Sequence, residues 1–385
     1  MVMKTKSILV ILATMMAANV QAQNADDALR YANTVPVGSA KFMSVAGSMG
    51  AIGGDMSALT VNPASIAVFR RGQLSFTPSW SRSRVESDYF GTSSTVNKNR
   101  FKFSEVAGVG VYPTNNDNGC RSINFGVAYN QVANLSRSVS IKGHNSTTSL
   151  LDGEASYLNQ HPTETTLFYD ANLFSEDTLT GRIYTDYQMN NSYGSTQLKT
   201  INSTGHIGEW SFAVGGNIND VLYLGGSINV LYLDYEQSAR YTETPDDETL
   251  PFNQFTYTDY FKTRGSGVNM KIGVIYSPTY NIRLGAAIHT PTLYSLSDDY
   301  YSKVESAVWY NDGVSEELKY ETAWDNGSCD WELSEPAKFV FSAALVSHTL
   351  GSINVDCELV DYSSASLSDA GNYQSSNFDD VNDQI

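Results

Sequence analysis

Lys271, Arg283 and Lys338 each fall in or beside a run of alternating apolar residues, where a cation must face the polar side of a strand. A cation so placed can form a charge-assisted bond to an anion, worth about 1.5–3 kcal/mol. Two kinds of partner are open: the carboxylate of a bound ligand, or carboxylates such as Asp356 and Glu358 in another alternating run. No nucleophile set accompanies these cations. Acyl hydrolysis needs a Ser or Cys beside a His base, and the five histidines (His144, His161, His206, His289, His348) share no catalytic or metal-ligand spacing. Only His289 is in phase with the polar face of its run, where hydrogen bonding is the default role. The residues point to binding without catalysis, with no cofactor and no metal. Cys120, Cys329 and Cys357 are too few and uneven for a disulfide framework; Cys120 and Cys329 could pair only if their loops met on one face.

The elements that carry these residues are expected beyond an export signal. Lys4 and Lys6 precede an apolar stretch from Ser7 to Ala18, and Val20-Gln21-Ala22 has the small-x-small form of a cleavage site. Residues 1–22 are therefore expected to be removed, leaving Gln23 first. Past Ala22 no run of about 18 apolar residues occurs, so no helix is expected to span a bilayer. The chain is instead rich in strand-forming and turn-forming residues, with 24 Tyr, 16 Phe, 5 Trp and 29 Gly against 17% charged residues. The net charge of -17 excludes a general nucleic-acid binder, which needs clustered Lys and Arg. Much of this acidity lies in polar connecting segments such as Thr244-Pro245-Asp246-Asp247-Glu248.

Residues 23–71 are small-residue rich and lack period-two alternation; they read as a compact irregular segment with one short helix at Asp26–Ala32. From Gln73 alternation persists, as in Leu74, Phe76 and Trp80 or Trp210, Phe212 and Val214. Leu222, Leu224, Ile228, Val230 and Tyr232 oppose Tyr223, Gly225, Ser227 and Asn229, and Met270, Ile272 and Val274 oppose Asn269, Lys271 and Gly273. Tight joints (Ile218 to Asp220, Ser277 to Tyr280, Ser347 to Gly351) alternate with long polar connections near 143–208, 238–257 and 290–335. Strands of this length, with short turns at one end and long loops at the other, predict an all-β transmembrane antiparallel barrel over 72–385. About ten strands are legible. A closed barrel leaves no edge in lipid, and the polar stretch at Asp383-Gln384-Ile385 is unlike a closing strand, so about four strands are expected to be missing at the C-terminus.

Gly50-Ala51-Ile52-Gly53-Gly54-Asp55, followed after six residues by Asn62-Pro63-Ala64 and then by Phe69, resembles the N-terminal hatch of the FadL-type family of outer-membrane transporters for long-chain fatty acids and hydrocarbons. Similarity continues through Gly267 to Tyr276, Asn281 to Gly285, His289-Thr290-Pro291 and Val360 to Ser364. The resemblance implies a barrel of about 14 strands plugged by residues 23–71, in the outer membrane of a Gram-negative bacterium. It implies passive uptake of a hydrophobic small molecule, with outer-membrane lipid and lipopolysaccharide as surroundings. Gly50, Asp55, Asn62, Pro63 and Ala64 would form the hatch motif. Gly53 and Gly54 would let it pack closely in the lumen, and Lys271, Arg283 and Lys338 would be candidate head-group partners in an apolar internal pocket. Burying about a dozen methylenes contributes roughly 10 kcal/mol, so the tail would set affinity and the head orientation. Some relatives are labelled haemin receptors, which would need an axial ligand, and others serve secretion machinery through long loops. Transport is the primary expectation, a secretion or surface interaction role the alternative.

Overall fold

The computed structural model describes residues 25–32, 37–114, 116, 119–177, 179–311, 316–347, 351–370, 378 and 382. The expected export signal, His348 and the last residues lie outside them. The described residues open with the short helix α1 (Ala25–Ala32), followed by α2 (Ala40–Ser44) and two 3-10 helices, η1 (Met56–Thr60) and η2 (Pro63–Val68).

The strands begin where alternation begins. In chain order they are β1 (Gln73–Tyr89), β2 (Thr92–Pro113), β3 (Cys120–Asn134) and β4 (Arg137–Asn145), then a small separate pair, β5 (Ser175–Glu176) and β6 (Ile183–Tyr184). The long strands β7 (Ser195–Ile218), β8 (Leu222–Pro245) and β9 (Phe252–Tyr276) follow, then β10 (Ile282–His289), β11 (Leu293–Asn311), β12 (Glu316–Ser334), β13 (Lys338–Ser347), β14 (Gly351–Val360) and β15 (Ser366–Asp369). They form one large antiparallel sheet, β1-β2-β3-β7-β8-β9-β10-β13-β14, curled into a half-barrel. Among the described residues β1 is bonded only to β2, and β14 only to β13. Asn219 and Asp220 take positive φ (53° and 60°) at the joint between β7 and β8, a conformation their short polar side chains tolerate.

The two faces of the sheet are inverted relative to a water-soluble protein. Leu74 (89% exposed), Ile272 (67%) and Phe341 (53%) are outward, while Asn124, Asn229 and Lys271 are buried inward. A continuous exposed apolar face of this extent marks contact with something other than water. The inner face is covered by residues 37–69, which pack Met56, Leu59, Ile66 and Phe69 against Ala107, Val109, Ala128 and Ala213.

The segments expected as long loops are largely strands. Residues 195–208 belong to β7, the connection near 238–257 shrinks to the short turn between Pro245 and Phe252, and 290–335 is mostly the β11–β12 hairpin. Here β9 changes partner, pairing with β10 at its lower end and with β11 above. Pro291 and Pro336 interrupt the strands at the change, because proline supplies no ladder N–H. Alternation was hard to read in these extensions because both faces are polar or aromatic, and period two shows only when one face is greasy.

Residues 146–194 do form an irregular cap. Its helix α3 (Leu150–Gln160) starts in a capping box between Ser149 and Asp152, and Leu151, Phe168, Leu173 and Tyr187 bury against Phe252 and Phe255. Burial raises the Glu154 carboxyl on α3 to about 7, from an ordinary 4.5. The fold thus favours the neutral acid: its contribution to cap stability is full below about 4.5 and is lost as pH rises through about 7. Limited proteolysis within 146–194 is expected to be faster at about pH 8 than at about pH 5, and Glu154→Gln to flatten that difference. A pH-independent cleavage rate in the unaltered protein would contradict it.

Cys120, Cys329 and Cys357 are thiols, with no disulfide between them. The possible Cys120–Cys329 bridge is ruled out by position. Cys120 sits at the tight-turn end opposite Ile218, and Cys329 lies in the β12 extension opposite Asp298.

Candidate functional site: the hatch and its seat

The hatch motif explains itself once its hydrogen bonds are followed. Asn62 has extended backbone (φ -142°) and caps η2, whose first residue is Pro63. Proline at that position needs no N–H and brings the right φ. The Asn62 side-chain oxygen accepts from Ala64 N at 3.0 Å. Its amide nitrogen donates to Gly50 O at 2.7 Å and to Val274 O on β9 at 3.2 Å. One side chain therefore caps a helix, closes the motif on itself and ties it to the wall. Asp55 caps η1 by accepting from Ser57 N at 2.9 Å, and its other oxygen accepts from Ser39 Oγ at 2.6 Å. Gly50 N donates to Asp356 Oδ2 on β14 at 3.0 Å.

The wall receives the motif at glycines. A methyl group at Gly225 would lie 2.7 Å from Ala64 Cα, and one at Gly273 would lie 3.0 Å from Pro63 Cδ. One at Gly215 would lie 2.6 Å from Ile66 Cγ2. Gly215, Gly225 and Gly273 are direct cross-strand neighbours on β7, β8 and β9, so together they form a flat seat for η2. Gly53 plays a different part from the one expected of it. With φ at +63° it packs against Ser65 and Val68 inside the hatch itself; the close approach to the wall is made by the wall's own glycines.

Side-chain donors complete the seat. Several backbone carbonyls of the hatch face the wall, and the wall supplies N–H groups to them. Asn124 Nδ2 donates to Ile66 O at 2.7 Å and Phe69 O at 3.0 Å. Arg283 Nη1 donates to Ile52 O at 2.6 Å. A His289 Nε2–H donates to Val61 O at 2.9 Å. Lys271 Nζ donates to Thr60 O at 3.3 Å and pairs with both Glu209 oxygens at 2.7 Å, with both side chains almost wholly buried. Lys338 Nζ lies 3.5 Å from Ala32 O and 3.9 Å from Glu358 Oε1.

The three cations singled out in the sequence are thus brought to the hatch, each on a backbone carbonyl. Lys338 approaches the expected Glu358, whereas Lys271 takes Glu209, which sequence reading did not single out. Glu105, also missed, accepts from Ser57 Oγ at 2.6 Å and from Ser75 Oγ. No linear signal marks either glutamate, because each is one inward position among many on a long strand.

A cavity of about 290 Å³ remains between the hatch and β9, β10 and β13, lined by Phe42, Val61, Leu231, Lys271, His289 and Lys338 among others. It lies at the lower end of the volumes that hold small ligands, about 300–1,000 Å³. Its lining is mixed, with Glu209, Glu335 and Asp356 beside the apolar groups. Among the described residues no cluster of three or more His, Cys, Asp or Glu is arranged to hold a metal ion. No protein-family model, no curated protein and no solved structure matches this chain.

Proposed function

We propose that this chain forms a hatch-plugged outer-membrane barrel that lets hydrophobic small molecules, such as long-chain fatty acids, cross passively. Two features support the reading. The outward apolar face suits lipid, and the inner face is closed by a segment held through a few discrete contacts. In this proposal β1 and β14 each gain a second strand neighbour, since an unpaired edge is costly in hydrocarbon.

The observation that carries the reading is the double role of Asn62. Its amide spans from Gly50 O within the hatch to Val274 O on the wall, so movement of β9 is felt directly at the plug. Ligand arriving above the hatch would separate these bonds and release η2 from its glycine seat. Asn62→Ala removes the cap of η2, the closure onto Gly50 and the tie to β9 together. Uptake of labelled oleate by cells carrying this variant is expected to fall roughly tenfold or more, the scale of losing buried hydrogen bonds of about 1 kcal/mol each. Heat-modifiable electrophoretic mobility should be retained, showing that the barrel still forms. Uptake equal to the unaltered protein would remove the gate from this position.

A further inference from the structure

On β2, Lys98, Arg100 and Lys102 occupy alternate positions facing inward, while Asn99 and Phe101 between them and Phe103 beyond are exposed. Their cross-strand neighbours on β1 are Ser83, Ser81 and Ser79, which are neutral and small. Among the described residues none of the three has a carboxylate within ion-pairing distance, although the chain carries 41 acidic residues against 24 basic ones. Lys102 Nζ donates to Asn134 Oδ1 at 2.7 Å, and Lys98 Nζ reaches Ser203 O at 3.5 Å. Arg100 Nε is buried without a hydrogen-bond partner.

The place in the fold is as unusual as the charge. The β2–β3 ladder ends at Glu105 opposite Asn130, so the stretch carrying the cations runs above the last bond between those two strands. Asn130 is fully buried, and neither atom of its amide has a partner. Below the cations, Glu105 is already engaged by Ser57 of the hatch and Ser75 of the wall. A positive track therefore leads along β2 and stops at Glu105, the carboxylate that Ser57 of the hatch engages. Alternate strand positions are about 6.6 Å apart, so the track extends roughly 13 Å.

We infer that Lys98, Arg100 and Lys102 bind the oxyanion head of an amphipathic ligand, a carboxylate, phosphate or sulfate, and hold it above the hatch. The inference rests on the transport proposal for the ligand's tail and adds the chemistry of its head. Like charges at this spacing repel one another, and an anion relieves that repulsion while filling the guanidinium's planar fork. The negative charge of Glu105 then keeps the head from descending past the seated hatch.

The test is equilibrium binding of dodecanoate and of uncharged dodecanol to the full chain in phosphatidylcholine nanodiscs at neutral pH. Unaltered protein is expected to bind both, with dodecanoate favoured about tenfold or more. The triple variant Lys98→Gln/Arg100→Gln/Lys102→Gln should bind dodecanol unchanged and lose the preference, whereas Arg100→Lys should largely keep it. Should the triple variant not fold, as judged by heat-modifiable mobility, the single Lys98→Gln is expected to show a partial loss. Titration with inorganic phosphate separates the sources of the anion: abolition of the preference marks a general oxyanion site, persistence a head-group site that needs the tail. A dodecanoate preference that survives the folded triple variant overturns the track. Equal binding of the two ligands by unaltered protein overturns the track but leaves transport standing. Binding of neither ligand overturns both.

Discussion

Lys271→Met is expected to destabilise the protein by about 3–5 kcal/mol, because it strands the Glu209 carboxylate in a buried site. Glu209 and Lys271 are 3% and 4% exposed and meet at 2.7 Å. With the ammonium gone, Glu209 retains one protein donor, Ser211 Oγ at 2.9 Å, which is far short of what an ionised carboxylate loses on leaving water. Thr60 O on the hatch also loses its donor. The double variant Lys271→Met/Glu209→Gln should recover most of the loss, since removing both charges removes the uncompensated one. Urea unfolding in detergent micelles, followed by loss of the folded electrophoretic form, measures both variants against the unaltered protein. If the double variant were as unstable as the single, the pair would not be the cause. Charge reversal by swapping the two residues is a harder repair, because Thr60 O would then face a carboxylate in place of a donor.

Gly225→Leu should unseat the hatch without breaking the sheet. The first added carbon would lie 2.7 Å from Ala64 Cα, closer than non-bonded carbons approach. That neighbour is backbone, so no side-chain rotation relieves the clash. The β8 ladder to β7 and β9 uses backbone groups that the substitution leaves in place. The hatch, held by side-chain bonds and small contacts, is the part that moves. Single-channel recordings of the full chain in planar bilayers should show a conductance increase of about tenfold or more, the scale of displacing a plug held by one or two kcal/mol per contact. Gly226→Leu is the matched control. Its added carbon meets nothing nearer than Lys271 O at 3.6 Å. Equal conductance in the two variants would mean that the glycine row is not the seat.

The two experiments divide the hatch contacts by kind. Lys271, Arg283, His289 and Asn124 donate to backbone carbonyls of the hatch, at Thr60, Ile52, Val61 and Ile66. Gly215, Gly225 and Gly273 contribute nothing but space. The first group makes the hatch's place polar and directional; the second lets its backbone come close enough for those bonds to form.

The strands from Gln73 to Trp80, through the 210s and 220s, and across Val268 to His289 were legible because each alternates greasy and polar residues, and that alternation is local. So were the turn at Asn219 and Asp220 and the helix expected at Asp26–Ala32, found at Ala25–Ala32. Local chemistry determines such features: a cap needs an acceptor two or three residues from the N–H it serves, and a strand facing two environments needs period two. The sequence by itself also placed Lys271, Arg283 and Lys338 on an inner face. What each of them touches was decided only by the tertiary structure. Glu209 lies 62 residues from Lys271, and Val274 lies 212 from Asn62. The use of 290–335 as strands depended on β9 changing partners, and the role of Gly225 and Gly273 on which segment lies over them. Partner identity across such distances depends on register and on the curl of the sheet, which no short stretch of chain encodes alone.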